Sequence, residues 1–107
     1  INNNSYGILL GASNNNTVTG NTCNNNNAGI YLSSGSSTNT VTGNTCIRGT
    51  GLPANYTSSQ YTIKLQGTDN NYNLIAINNC MGKAVSVGGG TGNSVYGNKW
   101  DAGNDLP

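Results

Sequence analysis

Histidine and glutamate are both absent from this 107-residue chain, and charge of either sign is scarce: four Lys and Arg against three Asp, a net charge of +1. Without histidine the Ser–His and Cys–His nucleophile systems cannot be assembled, and the commonest metal ligand is missing. Without glutamate, the paired carboxylates of polysaccharide hydrolysis would have to come from Asp69, Asp101 and Asp105. Asp69 falls in the turn Gly67-Thr68-Asp69-Asn70-Asn71 and the other two in the tail, so no pair is expected. Arg48, Lys64, Lys83 and Lys99 are too dispersed for nucleic acid or a membrane surface, both of which need clustered cations. No apolar run approaches the roughly 20 residues of a spanning helix. Three Cys show neither a CxxC pair nor zinc spacing, so no metal site and no cofactor is expected. No signal peptide is recognisable, and the chain opens on Ile1-Asn2-Asn3-Asn4 in the middle of a repeat. It reads as the C-terminal piece of a longer protein.

Only 34% of residues are hydrophobic, and the runs of Asn, Gly, Ser and Thr would ordinarily suggest disorder. A duplication argues otherwise. Asn15–Cys23 reads NNTVTGNTC and Thr38–Cys46 reads TNTVTGNTC, with Gly7-Ile8-Leu9-Leu10 and Gly29-Ile30-Tyr31-Leu32 upstream. A period of about 20–50 residues marks a repeat architecture in which each unit buries its apolar face against its neighbours.

Within each repeat the local period is two. Ile8/Leu10, Ile30/Leu32, Ile63/Leu65 and Val85/Val87 are apolar-x-apolar triplets, as in strands with one buried face. A second strand is expected around each of Val18, Val41, Ile75 and Val95, and no helical apolar series appears. Asn-Gly, the strongest hairpin signal, never occurs, whereas Gly-Asn occurs five times. Equivalent residues recurring in one chain direction fit stacked parallel coils, about 4.8 Å apart, better than a meander.

The expected fold is therefore all-β, a parallel solenoid of about four coils forming one segment: residues 1–23, 24–46, 47–80 and 81–100. Four columns follow: Ile8/Ile30/Ile63/Val85, Leu10/Leu32/Leu65/Val87, Val18/Val41/Ile75/Val95 and Cys23/Cys46/Cys80/Trp100. A fifth, Asn21/Asn44/Asn78/Asn98, can hydrogen-bond along the axis as an amide ladder. The pattern GIxL…NTVTGNTC resembles the right-handed parallel β-helix repeat of pectate-lyase-like proteins, which include polysaccharide lyases and epimerases, NosD-like surface proteins and phage tail proteins. The resemblance spans nearly the whole chain. It implies the fold and an extracellular, cell-surface or virion-surface location, but it decides no activity, because enzymes and non-enzymes share the architecture.

Function is sought where the repeat is broken. Cys46 to Cys80 spans 34 positions against 23 for Cys23 to Cys46, an excess of 11 that falls in Arg48–Ser59. Such an insertion maps to a protruding loop, either a binding element or a tolerated surface insertion. Trp100 in the Cys column, followed by a tail over 101–107, reads as an end cap. The stacked thiols are expected as buried small hydrophobes, since three cannot all pair and the strand spacing exceeds the ~3.8 Å between disulfide Cβ atoms. Leu9, Tyr31, Lys64 and Ser86 face outward from the first strand. Tyr31 and Lys64, with Arg48 and Tyr56 of the loop, are the candidate carbohydrate-binding residues; the alternative is an ordinary solvent face. Thr17-x-Thr19 above Thr40-x-Thr42 resembles an ice-binding array, but Leu74-x-Ala76 and Ser94-x-Tyr96 end it after two coils.

The leading expectation is a non-catalytic structural and polysaccharide-facing module of a bacterial or phage extracellular protein. The alternatives are the end of a lyase, hydrolase or epimerase with catalytic coils upstream and, as a minor reading, an ice-binding solenoid. No catalytic residue is assigned. Upstream coils of the parent or a homo-oligomer are expected to cover the open apolar end of coil one.

Overall fold

The computed structural model describes residue 1 and residues 5–24, 28–47, 61–81, 88–99 and 105–106. The loop at 48–59 with Arg48 and Tyr56, the segment bearing Val85, Ser86 and Val87, and Trp100 lie outside them. The described residues form three sheets. The first contains β1 (Tyr6–Gly11), β4 (Ala28–Ser33) and β7 (Tyr61–Leu65). The second contains β2 (Thr17–Thr19), β5 (Thr40–Thr42), β8 (Leu74–Ala76) and β10 (Ser94–Tyr96). The third runs β3 (Thr22–Asn24), β6 (Thr45–Ile47), β9 (Asn79–Met81), β11 (Asn98–Lys99) and β12 (Asp105–Leu106). Every pairing is parallel except β11 with β12. This is a right-handed parallel β-helix.

The register stacks like on like. Ile8, Ile30 and Ile63 align, as do Leu10, Leu32 and Leu65; Val18, Val41, Ile75 and Val95; and Cys23, Cys46 and Cys80. These columns are the core, and Ile30, Leu32, Val41, Ile63, Ile75 and the three Cys are fully buried. Where two strands per coil are expected, coils one to three have three, because the Cys-bearing segment is itself a strand. The corner between the second and third strands is made by glycine at positive φ, Gly20, Gly43 and Gly97 (φ 72, 66 and 64°), each followed by asparagine. Coil three puts Ile77 at this corner (φ 55°), a β-branched residue where the left-handed region costs about 1–2 kcal/mol.

Asparagine holds the corners of adjacent coils together. The backbone N–H of Asn21 donates to Asn44 Oδ1 (3.0 Å), Asn44 to Asn78 (3.0 Å) and Asn78 to Asn98 (3.1 Å). Each Nδ2 donates to the same acceptor. A second ladder, outside the five expected columns, runs through Asn16, Asn39, Asn73 and Asn93 with N–H to Oδ1 distances of 2.8, 2.9 and 2.8 Å. The two ladders bracket the second strand as N-x-[V/I]-x-x-N, a spacing legible at 16–21, 39–44, 73–78 and 93–98. Asn39, Asn44, Asn73 and Asn78 are buried, and their amides satisfy corner groups that would otherwise be stranded in the core.

Candidate functional site

The outward face of the first sheet carries the feature that packing does not account for. Tyr31 lies between buried Ile30 and Leu32 and so points outward, with Leu9 and Lys64 beside it in register. The rings of Tyr6 and Tyr31 stack with centroids 4.3 Å apart and planes 26° from parallel. Lys64 Nζ sits 5.5 Å from the centroid of the Tyr61 ring, within cation–π reach. Tyr6 is 42% exposed and Leu9 52%. Of the four residues singled out from sequence, Tyr31 and Lys64 are thus brought together on adjacent strands. Tyr6 and Tyr61 are additions.

Strict alternation hides these additions, since Tyr6 has the parity of Ile8 and Leu10 and would face the core. The reason lies at the next position, Gly7/Gly29/Thr62. Thr62 is buried, and a Cβ on Gly29 would point inward, 3.4 Å from Cys46 Sγ of the third sheet and 2.5 Å from the Thr62 carbonyl oxygen. Both this position and the Ile that follows it face in, so the strand turns a corner there. Position 6/28/61 consequently faces out, with Ala28 below the two tyrosines and buried. The readable signal is the column Tyr-Gly-Ile, Ala-Gly-Ile, Tyr-Thr-Ile. Burial, together with the adjacent Tyr6 phenol, pushes the Tyr31 hydroxyl above its usual value, so it stays a neutral donor and acceptor.

Chemically, the described part of the face offers stacked aromatic surface, phenolic hydroxyls and the Lys64 cation. That combination suits a ligand with apolar C–H faces edged by hydroxyls or carboxylate. Among the described residues the face holds no carboxylate; Asp69 lies in an exposed turn after β7.

The thiols are inside. Cys23, Cys46 and Cys80 are free and fully buried in one column. The neighbouring Cys46 thiol lowers the Cys23 thiol against its own burial, and Cys23 together with burial raises Cys46. Burial pushes Cys80 up to about 11, opposed by a contact with Thr62.

A family model described as periplasmic copper-binding protein (NosD) matches residues 1–105. No curated protein and no solved structure matches the chain. The residues present do not fit the copper in that description. The chain has no imidazole, and among the described residues no group of three or more Cys, Asp or Glu could hold a metal ion. Burial in the aliphatic core holds two of the three thiols protonated, whereas copper takes imidazole or thiolate. With the family model matched from residue 1 to residue 105 and the β-helix in place, the chain belongs to the NosD family.

Proposed function

We propose that this chain is a non-catalytic β-helix module that binds polysaccharide on the outward face of β1, β4 and β7. The observation that carries the reading is the stack of exposed Tyr6 on half-buried Tyr31, with Lys64 and Tyr61 on the neighbouring strand. Aromatic rings left in water cost hydrophobic free energy unless something covers them, and sugar rings are the ligands whose flat C–H faces stack on tyrosine. Lys64 favours glycans that carry carboxylates. The family's description places it in the periplasm, outside the cytoplasmic membrane and in line with the expected extracellular or surface location. Burial of all three thiols suits an oxidising compartment, where exposed cysteines would pair.

Screening neutral and acidic glycans on an array, then titrating the hits calorimetrically, tests the reading. Tyr31→Ala and Tyr6→Ala should each weaken binding about tenfold or more, a loss of ~1.4 kcal/mol. Tyr96→Ala, at an exposed tyrosine of the second sheet, should leave affinity unchanged. An array without hits, or equal affinity for Tyr31→Ala and the parent, would exclude this face as a glycan site.

A further inference from the structure

Both asparagine ladders have a direction. At every step the donors sit on the N-terminal coil: N–H and Nδ2 of Asn16 reach Asn39 Oδ1 at 2.8 and 3.1 Å, and those of Asn21 reach Asn44 Oδ1 at 3.0 and 3.1 Å. A return bond runs the other way. Nδ2 of Asn39, Asn44, Asn73 and Asn78 donates to the carbonyls of Ser13, Val18, Ser36 and Val41 in the coil before. Coil one therefore presents acceptors to its open end. No described residue donates to the Oδ1 of Asn16 or Asn21, and their Nδ2 groups bond within their own coil to the Asn14 and Thr19 carbonyls.

The same end is apolar and has begun to pair. Ile8 and Leu10 are only partly buried, whereas Ile30, Leu32, Ile63 and Leu65 beneath them are covered. The Ile1 amino group donates to Thr22 O (2.8 Å), and Ile1 O accepts from Asn24 N (2.8 Å). That is the bonding of a parallel partner opposite Cys23.

We infer that the open end of coil one receives one further parallel β-coil carrying asparagines five residues apart, and not a second copy of this chain. A coil of that kind supplies the N–H and Nδ2 donors the two acceptors require, in the direction every other step uses. Two copies meeting by their open ends would oppose acceptor to acceptor. Two copies meeting head to tail would need a free last strand in the third sheet, but β12 lies antiparallel along β11, Asn98 opposite Leu106 and Lys99 opposite Asp105. The C-terminal edge of that sheet is closed to it.

The test adds such a coil to the full chain. Duplicating residues 24–45 directly ahead of Ile1 keeps the phase, because Thr then precedes Ile1 as it precedes Cys23 and Cys46. The melting temperature should rise by about 5 °C or more, and binding of an apolar dye to the open end should fall. In the Asn16→Ala/Asn21→Ala background the rise should be less than half as large, since the donors of the added coil lose their acceptors. An equal rise in both backgrounds, or none in either, would overturn the inference. So would sedimentation of the unextended chain as a dimer, which would make a second copy the occupant.

Discussion

Asn78 shows how much one side chain does in this fold. It is buried; its Nδ2 donates to the carbonyls of Val41 and Ala76 and to Asn98 Oδ1, while its Oδ1 accepts from the N–H and Nδ2 of Asn44. Alanine there strands the Asn44 N–H away from water and takes the Nδ2 donor from the Val41 carbonyl, at about 1–3 kcal/mol for each unsatisfied group, while Asn44 Nδ2 keeps the Val18 and Thr42 carbonyls. Asn78→Ala is expected to cost about 3 kcal/mol or more in urea unfolding. Asn21 occupies the same column at the open end and is half-exposed, so Asn21→Ala should cost about 1 kcal/mol or less. Equal losses at the two positions would mean that the ladder is surface decoration. The Val, Cys and Asn21 columns are legible in the sequence because their residues recur in an identical local context. The Asn16 column becomes legible only when its spacing to the next Asn is compared across coils, since an Asn preceding a strand otherwise looks like any turn residue.

At the scale of elements, the corner inside the first strand decides what faces water. Period-two patterning carries the inward Ile and Leu triplets correctly, but it assumes a strand without a bend. Gly29 and Thr62 both point in, and the parity of Tyr6 and Tyr61 is reversed, which brings the candidate site into being. Gly29→Ala would drive a methyl against the Thr62 carbonyl, 2.5 Å away, in backbone that cannot yield as a side-chain end can. A loss of about 2–3 kcal/mol is expected, in the range of overpacked cores. Gly11→Ala, at a position with nothing within 4 Å of the added carbon, should stay within about 0.5 kcal/mol of the parent by the same measurement. The third strand of each coil was likewise hidden, because Thr-Cys-Asn is too short to show a period. Only the positive φ at the preceding corner separates it from the second strand.

For the whole molecule, the thiol column links stability to pH. Cys80 titrates at about 11 in the folded chain, above the ordinary thiol value of 9.0, because burial favours the uncharged form. A raised folded value means the contribution is fully present below pH 9 and is lost as pH climbs through 9 to 11, where the unfolded chain has already released its proton. That loss is on the order of 2–3 kcal/mol. Melting temperatures across this window should therefore fall, and Cys80→Ala should fall less steeply than the parent. Parallel slopes for the two proteins would remove the thiol from the account. The same column bears on the family's copper: Cys46 and Cys80, which hold their protons inside an aliphatic stack, are packing atoms and not ligands.

Amide hydrogen exchange resolved by residue tests the central claim most directly, that stacked coils locked by two asparagine ladders form the molecule and leave only its outer face for ligands. The backbone N–H groups of Asn39, Asn44, Asn73 and Asn78 donate to the Oδ1 of the next coil at 2.9, 3.0, 2.8 and 3.1 Å. They are predicted to exchange only through global unfolding, among the slowest in the chain. The amides of Asn14 and Thr68, in exposed turns and with no acceptor among the described residues, should exchange orders of magnitude faster. Ladder amides that exchange as fast as those turns would contradict the stacked-coil account.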